Sequence, residues 1–203
     1  MTRSSQTPAE IILTVAHKWL ELDDEVYPVA VLATALANWM HGQPVWLLIV
    51  APPSSGKTLF IQAYARMKTV YPLSSLTART FASGLKNEKE EGSNSLLHWL
   101  NRERKSLLTL KDFGTILSLA VQERNGVLAQ LREIYDGEYS AAYGTGERFQ
   151  WKGKLGLIAG GTPKVDDLHK WSSELGERFV QIRPISPDEE AVAERARRNK
   201  GHE

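Results

Sequence analysis

Three consecutive residues, Gly56, Lys57 and Thr58, combine the groups that hold a phosphate: a backbone an anion can approach closely, an ammonium and a hydroxyl. Their setting supplies the geometry. Seven apolar residues, Val45 to Ala51, run without alternation into Pro52, Pro53, Ser54 and Ser55, and an apolar-periodic segment begins at Leu59. That is the pattern of a buried strand, a tight loop and a helix start. Successive backbone N–H groups of such a loop face inward onto a β-phosphate, and the helix dipole favours its negative charge. Lys57 would reach the β- and γ-phosphate oxygens, and the Thr58 hydroxyl would sit on Mg²⁺. The expected nucleotide-binding segment runs through Pro53, Ser54, Ser55, Gly56, Lys57, Thr58 and Leu59.

Ala51 stands where G-x-x-x-x-G-K-[ST] has its first glycine. Alanine can end a strand without a positive φ, so the loop is expected to form. The competing reading is a chance Gly-Lys-Thr in an ordinary turn, and the strand before it and helix after it argue against that.

A carboxylate is the second requirement. Ser106 to Gly114, SLLTLKDFG, is an apolar strand ending in Asp112, which would lie beside the loop and hold Mg²⁺ through water. Asp112 could instead cap a helix starting near Gly114. Phe113 occupies the place where many ATPases carry a water-orienting glutamate, leaving Glu133 and Asp136 as nearby candidates. Asp112-Phe113-Gly114 matches a protein-kinase triplet, yet no His-Arg-Asp loop accompanies it.

Composition narrows the classes. A chain of 203 residues with 42% hydrophobic content suits one α/β domain with a full core. It has no cysteine, which excludes disulfides and thiolate metal sites, and its histidines show no ligand spacing. The longest apolar run is far short of a membrane span, so no membrane partner and a cytoplasmic location are expected. The net charge of +1 gives no global argument for nucleic acid.

Helices are expected from Pro8 to about Leu22, from Pro28 to His41-Gly42, from the loop to about Met67, from Ser95 to Lys105, and over Thr115 to Tyr135 with a bend at Asn125-Gly126. Thr69 to Leu73 and Thr77 to Ala82 have strand-like content, with Pro72 arguing for a break between them. Lys86 to Glu91 is a solvated charge run. Tyr139 to Tyr143 and Glu147 to Trp151 flank Gly144-Thr145-Gly146, a hairpin signal. Arg148, Lys152 and Lys154 interleave there with Tyr143, Phe149 and Trp151. Such a hairpin suits single-stranded DNA, with phosphates on Arg148 and Lys152 and bases on the rings; equally, it could pack on its own domain. Leu155 to Ala159 is another buried strand, and Thr162 just beyond it could bond a γ-phosphate or lytic water, or merely cap its turn. Arg178, ahead of Phe179 to Ile182, could reach the nucleotide of an adjacent subunit or pair with Glu174 or Glu177. The tail from Pro187 reads as a charged helix start with nothing to pack on.

Taken in order, APPSSGKT, LLTLKDFG, LREIYDG, a hairpin, IAGGTP and LGERF resemble the AAA+ ATPase core. The similarity is strongest to the branch with a hairpin before sensor 1, which includes minichromosome-maintenance-like helicases of phages and mobile elements. The resemblance implies a three-layer α/β P-loop NTPase with a central parallel sheet, ATP and Mg²⁺ as cofactors, and a homo-oligomeric ring, a hexamer by that resemblance, working on DNA. By position it gives Lys57 and Thr58 the Walker A roles, Asp112 Walker B, Thr162 sensor 1, and Arg178 the arginine finger in trans. It divides the chain into a helical segment at 1–44, an ATPase core at 45–186, and a tail at 187–203 where a helical lid would begin.

Overall fold

The computed structural model describes residues 6–53, 55–77, 79–81, 95–142, 148–167, 175–185 and 188–199. Ser54, the run Lys86 to Glu91 and the hairpin turn at 143–147 therefore lie outside the described residues. The strands are β1 (Trp46–Val50), β2 (Val70–Leu73), β3 (Leu107–Leu110), β4 (Glu138–Ala142), β5 (Arg148–Lys152), β6 (Gly156–Gly161) and β7 (Phe179–Ile182). The helices are α1 (Pro8–Trp19), α2 (Val26–Trp39), α3 (Lys57–Ala65), α4 (Leu96–Arg102), α5 (Gly114–Leu117), α6 (Val121–Tyr135) and α7 (Glu189–Asn199).

Five strands make one parallel sheet in the order β2-β3-β6-β1-β7, and β4 and β5 pair antiparallel beside it. Parallel strands need cover on both faces, which is why β1 and β6 are apolar without alternation and buried at every residue. Alternate side chains divide between the faces. Leu47 and Ile49 join Ile158 under α1, α2 and α3. Trp46, Leu48 and Val50 join Leu108 and Leu157 under α4, α5, α6 and the inner face of the hairpin. The result is α/β, a five-stranded parallel sheet with helices on both sides, compatible with the expected three-layer architecture.

Local chemistry sets the ends. Thr7 accepts from the Glu10 N–H at 3.2 Å while Glu10 accepts from the Thr7 N–H at 2.7 Å, a capping box with Pro8 at the first helical position. Asp24, between α1 and α2, accepts from the N–H of Val26 at 2.9 Å. Pro72 lies inside β2 rather than after it. It is tolerated because β2 is the sheet's outer strand, where one side of the backbone needs no ladder partner. Of the expected run Thr77 to Ala82, the described residues Thr77, Arg79, Thr80 and Phe81 form no strand, and Ala78 and Ala82 lie outside the described residues. The break expected at Asn125-Gly126 falls instead at Ser118 to Ala120, and Arg124 closes it by donating to the Leu117 carbonyl at 3.3 Å.

Asn38 ties the helical segment to the sheet. Its amide donates to the carbonyls of Thr34 and Val45 at 2.9 and 2.8 Å and accepts from the Val45 N–H at 3.0 Å. Lys154, which the sequence grouped with the hairpin cations, instead donates to the carbonyls of Ala37 and Met40 at 2.8 and 2.7 Å, closing the C-terminus of α2. The tail is not unpacked either. Arg195 on α7 pairs with Glu21 at 3.1 Å, and Asn199 donates to the Trp19 carbonyl at 2.8 Å.

Candidate functional site

The carboxyl ends of β3, β6 and β1 lie side by side, and the expected site residues gather at that edge. Val50 pairs with Gly161 and Leu110 with Ala159. Beyond the strands the chains stay pinned: the Ala51 N–H donates to the Gly161 carbonyl at 3.1 Å, and the Phe113 N–H to the Gly160 carbonyl at 2.6 Å. At Gly160 the approach is so close that a β-carbon would stand 2.6 Å from the Lys111 carbonyl oxygen. Glycine here lets the Asp112 turn fold over the end of β6. Only β6 separates β1 from β3, so the phosphate-loop strand and the Asp112 strand are about 10 Å apart. In an open α/β sheet the crevice outside the carboxyl ends is where ligands bind.

The described residues on the C-terminal side of the loop lead into a helix at Lys57, as expected. Gly56 has φ 78° and ψ −8° and stands as the N-cap of α3, in the left-handed region that favours glycine. Ala51 is fully buried and has no positive φ, which removes the difficulty of the missing glycine. Lys57 is buried and donates from Nζ to the Pro52 carbonyl at 2.8 Å. Burial lowers its pKa, and the Asp112 carboxylate, within electrostatic reach, works in the opposite direction. The Ser55 hydroxyl is buried without a hydrogen-bond partner. Thr58 and Leu59 are exposed at the start of α3, whose first N–H groups have no acceptor within the helix.

Asp112 has two tasks. Its Oδ1 accepts from the Gly114 N–H at 2.8 Å, and its carbonyl accepts from the Thr115 hydroxyl at 2.8 Å, so it shapes the turn into α5. The same carboxylate is the charge that acts on Lys57. Asp112 thus makes the helix-start contacts of its capping reading. Thr162, half-buried, follows Gly161 at the end of β6, and the turn after it is closed by its backbone carbonyl, which accepts from Val165 at 3.0 Å.

Other expected residues stand elsewhere. Phe179 pairs with Trp46, the first residue of β1, so Arg178 sits at the amino edge of the sheet, about 16 Å of strand from the loop. Its guanidinium holds Asp136, not Glu177, through two bonds of 2.9 and 2.8 Å, and donates to the Leu175 carbonyl at 2.6 Å. Asp136 therefore lies away from the loop and is no water-orienting base in this arrangement. Glu133 faces the hairpin beside Glu138 and Lys152. On the hairpin, alternation places Arg148 and Lys152 outward, with Lys152 paired to Glu138 at 2.7 Å, and buries Phe149 and Trp151. Those two rings fill the core and offer no face to a base.

The glycine pair Gly160-Gly161 was readable only as a turn; a doublet inside an apolar strand was the available signal of close backbone approach. Lys57, Ser55, Thr58 and Asp112 are the residues that could hold a triphosphate with its cation. No group of three or more His, Asp or Glu side chains among the described residues could hold a metal ion alone. A Mg²⁺ carried by phosphates needs only one or two protein ligands. No protein-family model matches the chain, and no curated protein matches it. Among the described residues no helix is long and apolar enough to cross a membrane.

Proposed function

We propose that this chain is the nucleotide-binding core of a P-loop ATPase of the AAA+ type, acting in a ring oligomer on DNA during replication of a phage or mobile element. One observation carries the reading: Lys57 and Asp112, 55 positions apart by their numbers, converge at the carboxyl edge of the sheet. Lys57 would leave the Pro52 carbonyl for the phosphates, and the Ser55 hydroxyl would gain the partner it lacks. Thr58 and Asp112 would hold Mg²⁺, which neutralises charge developing on the phosphoryl oxygens. Thr162, just past the end of β6, would meet the terminal phosphate or a water beside it.

The test is titration of the protein with a fluorescent ATP analogue and Mg²⁺, alongside ATP turnover with and without single-stranded DNA. Lys57→Ala should weaken binding at least tenfold, a loss typical of removing a charged partner. Wild-type protein that binds no nucleotide, or binds it equally well as Lys57→Ala, defeats the proposal. A second reading, an ATPase that switches a protein partner, gains from the burial of Phe149 and Trp151. It predicts turnover indifferent to DNA.

A further inference from the structure

We infer that the apolar groove between α1 and α3 is a docking site for an acidic amphipathic helix of another protein. This inference does not rest on the nucleotide reading, although the groove shares Leu59 with the expected nucleotide-binding segment.

The groove has a volume of about 410 Å³ and is walled by Ile12, Val15 and Trp19 on one side and by Leu59, Ala63 and Met67 on the other. A helix on a protein surface normally turns its apolar stripe inward and shows water a polar face. Here the outward face is apolar as well: Val15 is 55% exposed, Trp19 45% and Leu59 54%. An apolar trough between two helices takes a helix that inserts apolar anchors at i, i+3 or i+4, and i+7.

Charge selects the kind of helix. Trp19 lines both this groove and an adjoining polar cleft formed by Lys18, Arg195, Arg198 and Asn199, so basic side chains stand at that end of the groove. The Lys18 ammonium stands over the Trp19 ring, 5.1 Å from its centroid. Glu21 and Glu194 pair with the arginines, leaving the cations in excess at that end. Arg66 and Lys68, both exposed, are the chain neighbours of Met67, a residue of the opposite wall. The rim is thus basic around an apolar floor, and the matching ligand presents leucine-like anchors between glutamates or aspartates. Of this chain's own segments outside the described residues, 1–5 and 200–203 have no apolar anchors apart from Met1, and the acidic run 82–94 has Leu85 as its one large apolar residue, short of a helical series of anchors.

The probe is a fluorescently labelled synthetic helix with leucine at i, i+3, i+4 and i+7 and glutamate at the remaining positions, read by anisotropy against the full chain at low salt. Saturable binding is expected, weakened at least tenfold by Val15→Glu and by lysine in place of the peptide's glutamates, and weakened also by Lys18→Glu and by added salt. Val15 and Lys18 are surface positions, and circular dichroism of each variant checks that the fold persists. If Val15→Glu fails to fold, Lys18→Glu and the charge-swapped peptide still decide. Four results overturn the inference: no saturation, equal affinity for the glutamate and lysine peptides, displacement of the peptide by Mg-ATP, or a dimer of this chain that Val15→Glu dissociates.

Discussion

Lys57 shows how a single side chain can be held ready for an anion. Its ammonium is buried, which lowers its pKa, and is anchored on the Pro52 carbonyl while the Asp112 charge partly offsets the desolvation. Because the folded pKa lies below the unfolded value of 10.5, the unfolded chain binds the proton more tightly. The contribution of Lys57 to stability therefore rises as pH climbs through the interval between the two values. Replacing Asp112 by Asn removes the opposing term, so the Lys57 pKa should fall further. Carbon-13 NMR of the lysine ε-carbon, titrated in wild type and in Asp112→Asn, checks this; an unmoved or raised Lys57 titration would show that the two groups do not interact. Gly56, Lys57 and Thr58 could be read from sequence because loop geometry is local and its residue types are few. The partner of Arg178 could not, because Asp136 is 42 positions away and reaches it only through the sheet.

At the scale of elements, the strands were legible wherever burial on both faces leaves a continuous apolar run, as in β1, β3 and β6. The ends of helices were less so: α1 stops at Trp19 and not near Leu22, and α2 already begins at Val26. Alternation marked Glu147 to Trp151 as a strand, and β5 runs from Arg148 to Lys152, but it could not say which face is inside, and burial of Phe149 and Trp151 settled that against stacking. The joint between α2 and β1 was invisible in sequence, because an asparagine inside a helix carries no signature of what it bonds. Asn38 satisfies both backbone groups of Val45, so Asn38→Ala leaves them without that partner at a part-buried site. The expected loss is about 2 kcal/mol of unfolding free energy by urea denaturation. Gly156 should behave alike, since a β-carbon there would stand 2.2 Å from the Asn38 side chain. Gly156→Ala should cost about 1–3 kcal/mol, and the double variant should lose less than the sum, because both act through one contact. Additive losses would show that the two positions act separately.

Across the whole molecule the parallel order β2-β3-β6-β1-β7 gives the sheet two unlike edges. The carboxyl edge gathers the loop, Asp112 and Thr162; the amino edge carries Arg178. A guanidinium on the amino edge cannot reach the loop of its own chain, so a role in phosphate chemistry requires a second copy placed head to tail, the arrangement that closes into rings. The pairing that now holds Arg178 is no great obstacle. Asp136 is 55% exposed and Arg178 21%, so the ion pair itself contributes about 1 kcal/mol, to which the bond to the Leu175 carbonyl and the contact with the Tyr135 ring add. Arg178→Ala should therefore lower unfolding stability by about 1–2 kcal/mol, leaving the chain folded, while removing ATP turnover. The decisive measurement mixes two inactive proteins, Lys57→Ala and Arg178→Ala, in equal amounts. Where the loop of an Arg178→Ala copy meets the amino edge of a Lys57→Ala copy, one complete site forms, at roughly a quarter of the interfaces. Turnover should reappear on mixing. If Arg178→Ala alone keeps full turnover, Arg178 is a strut between β7 and the end of α6, and the shared site is not built from it.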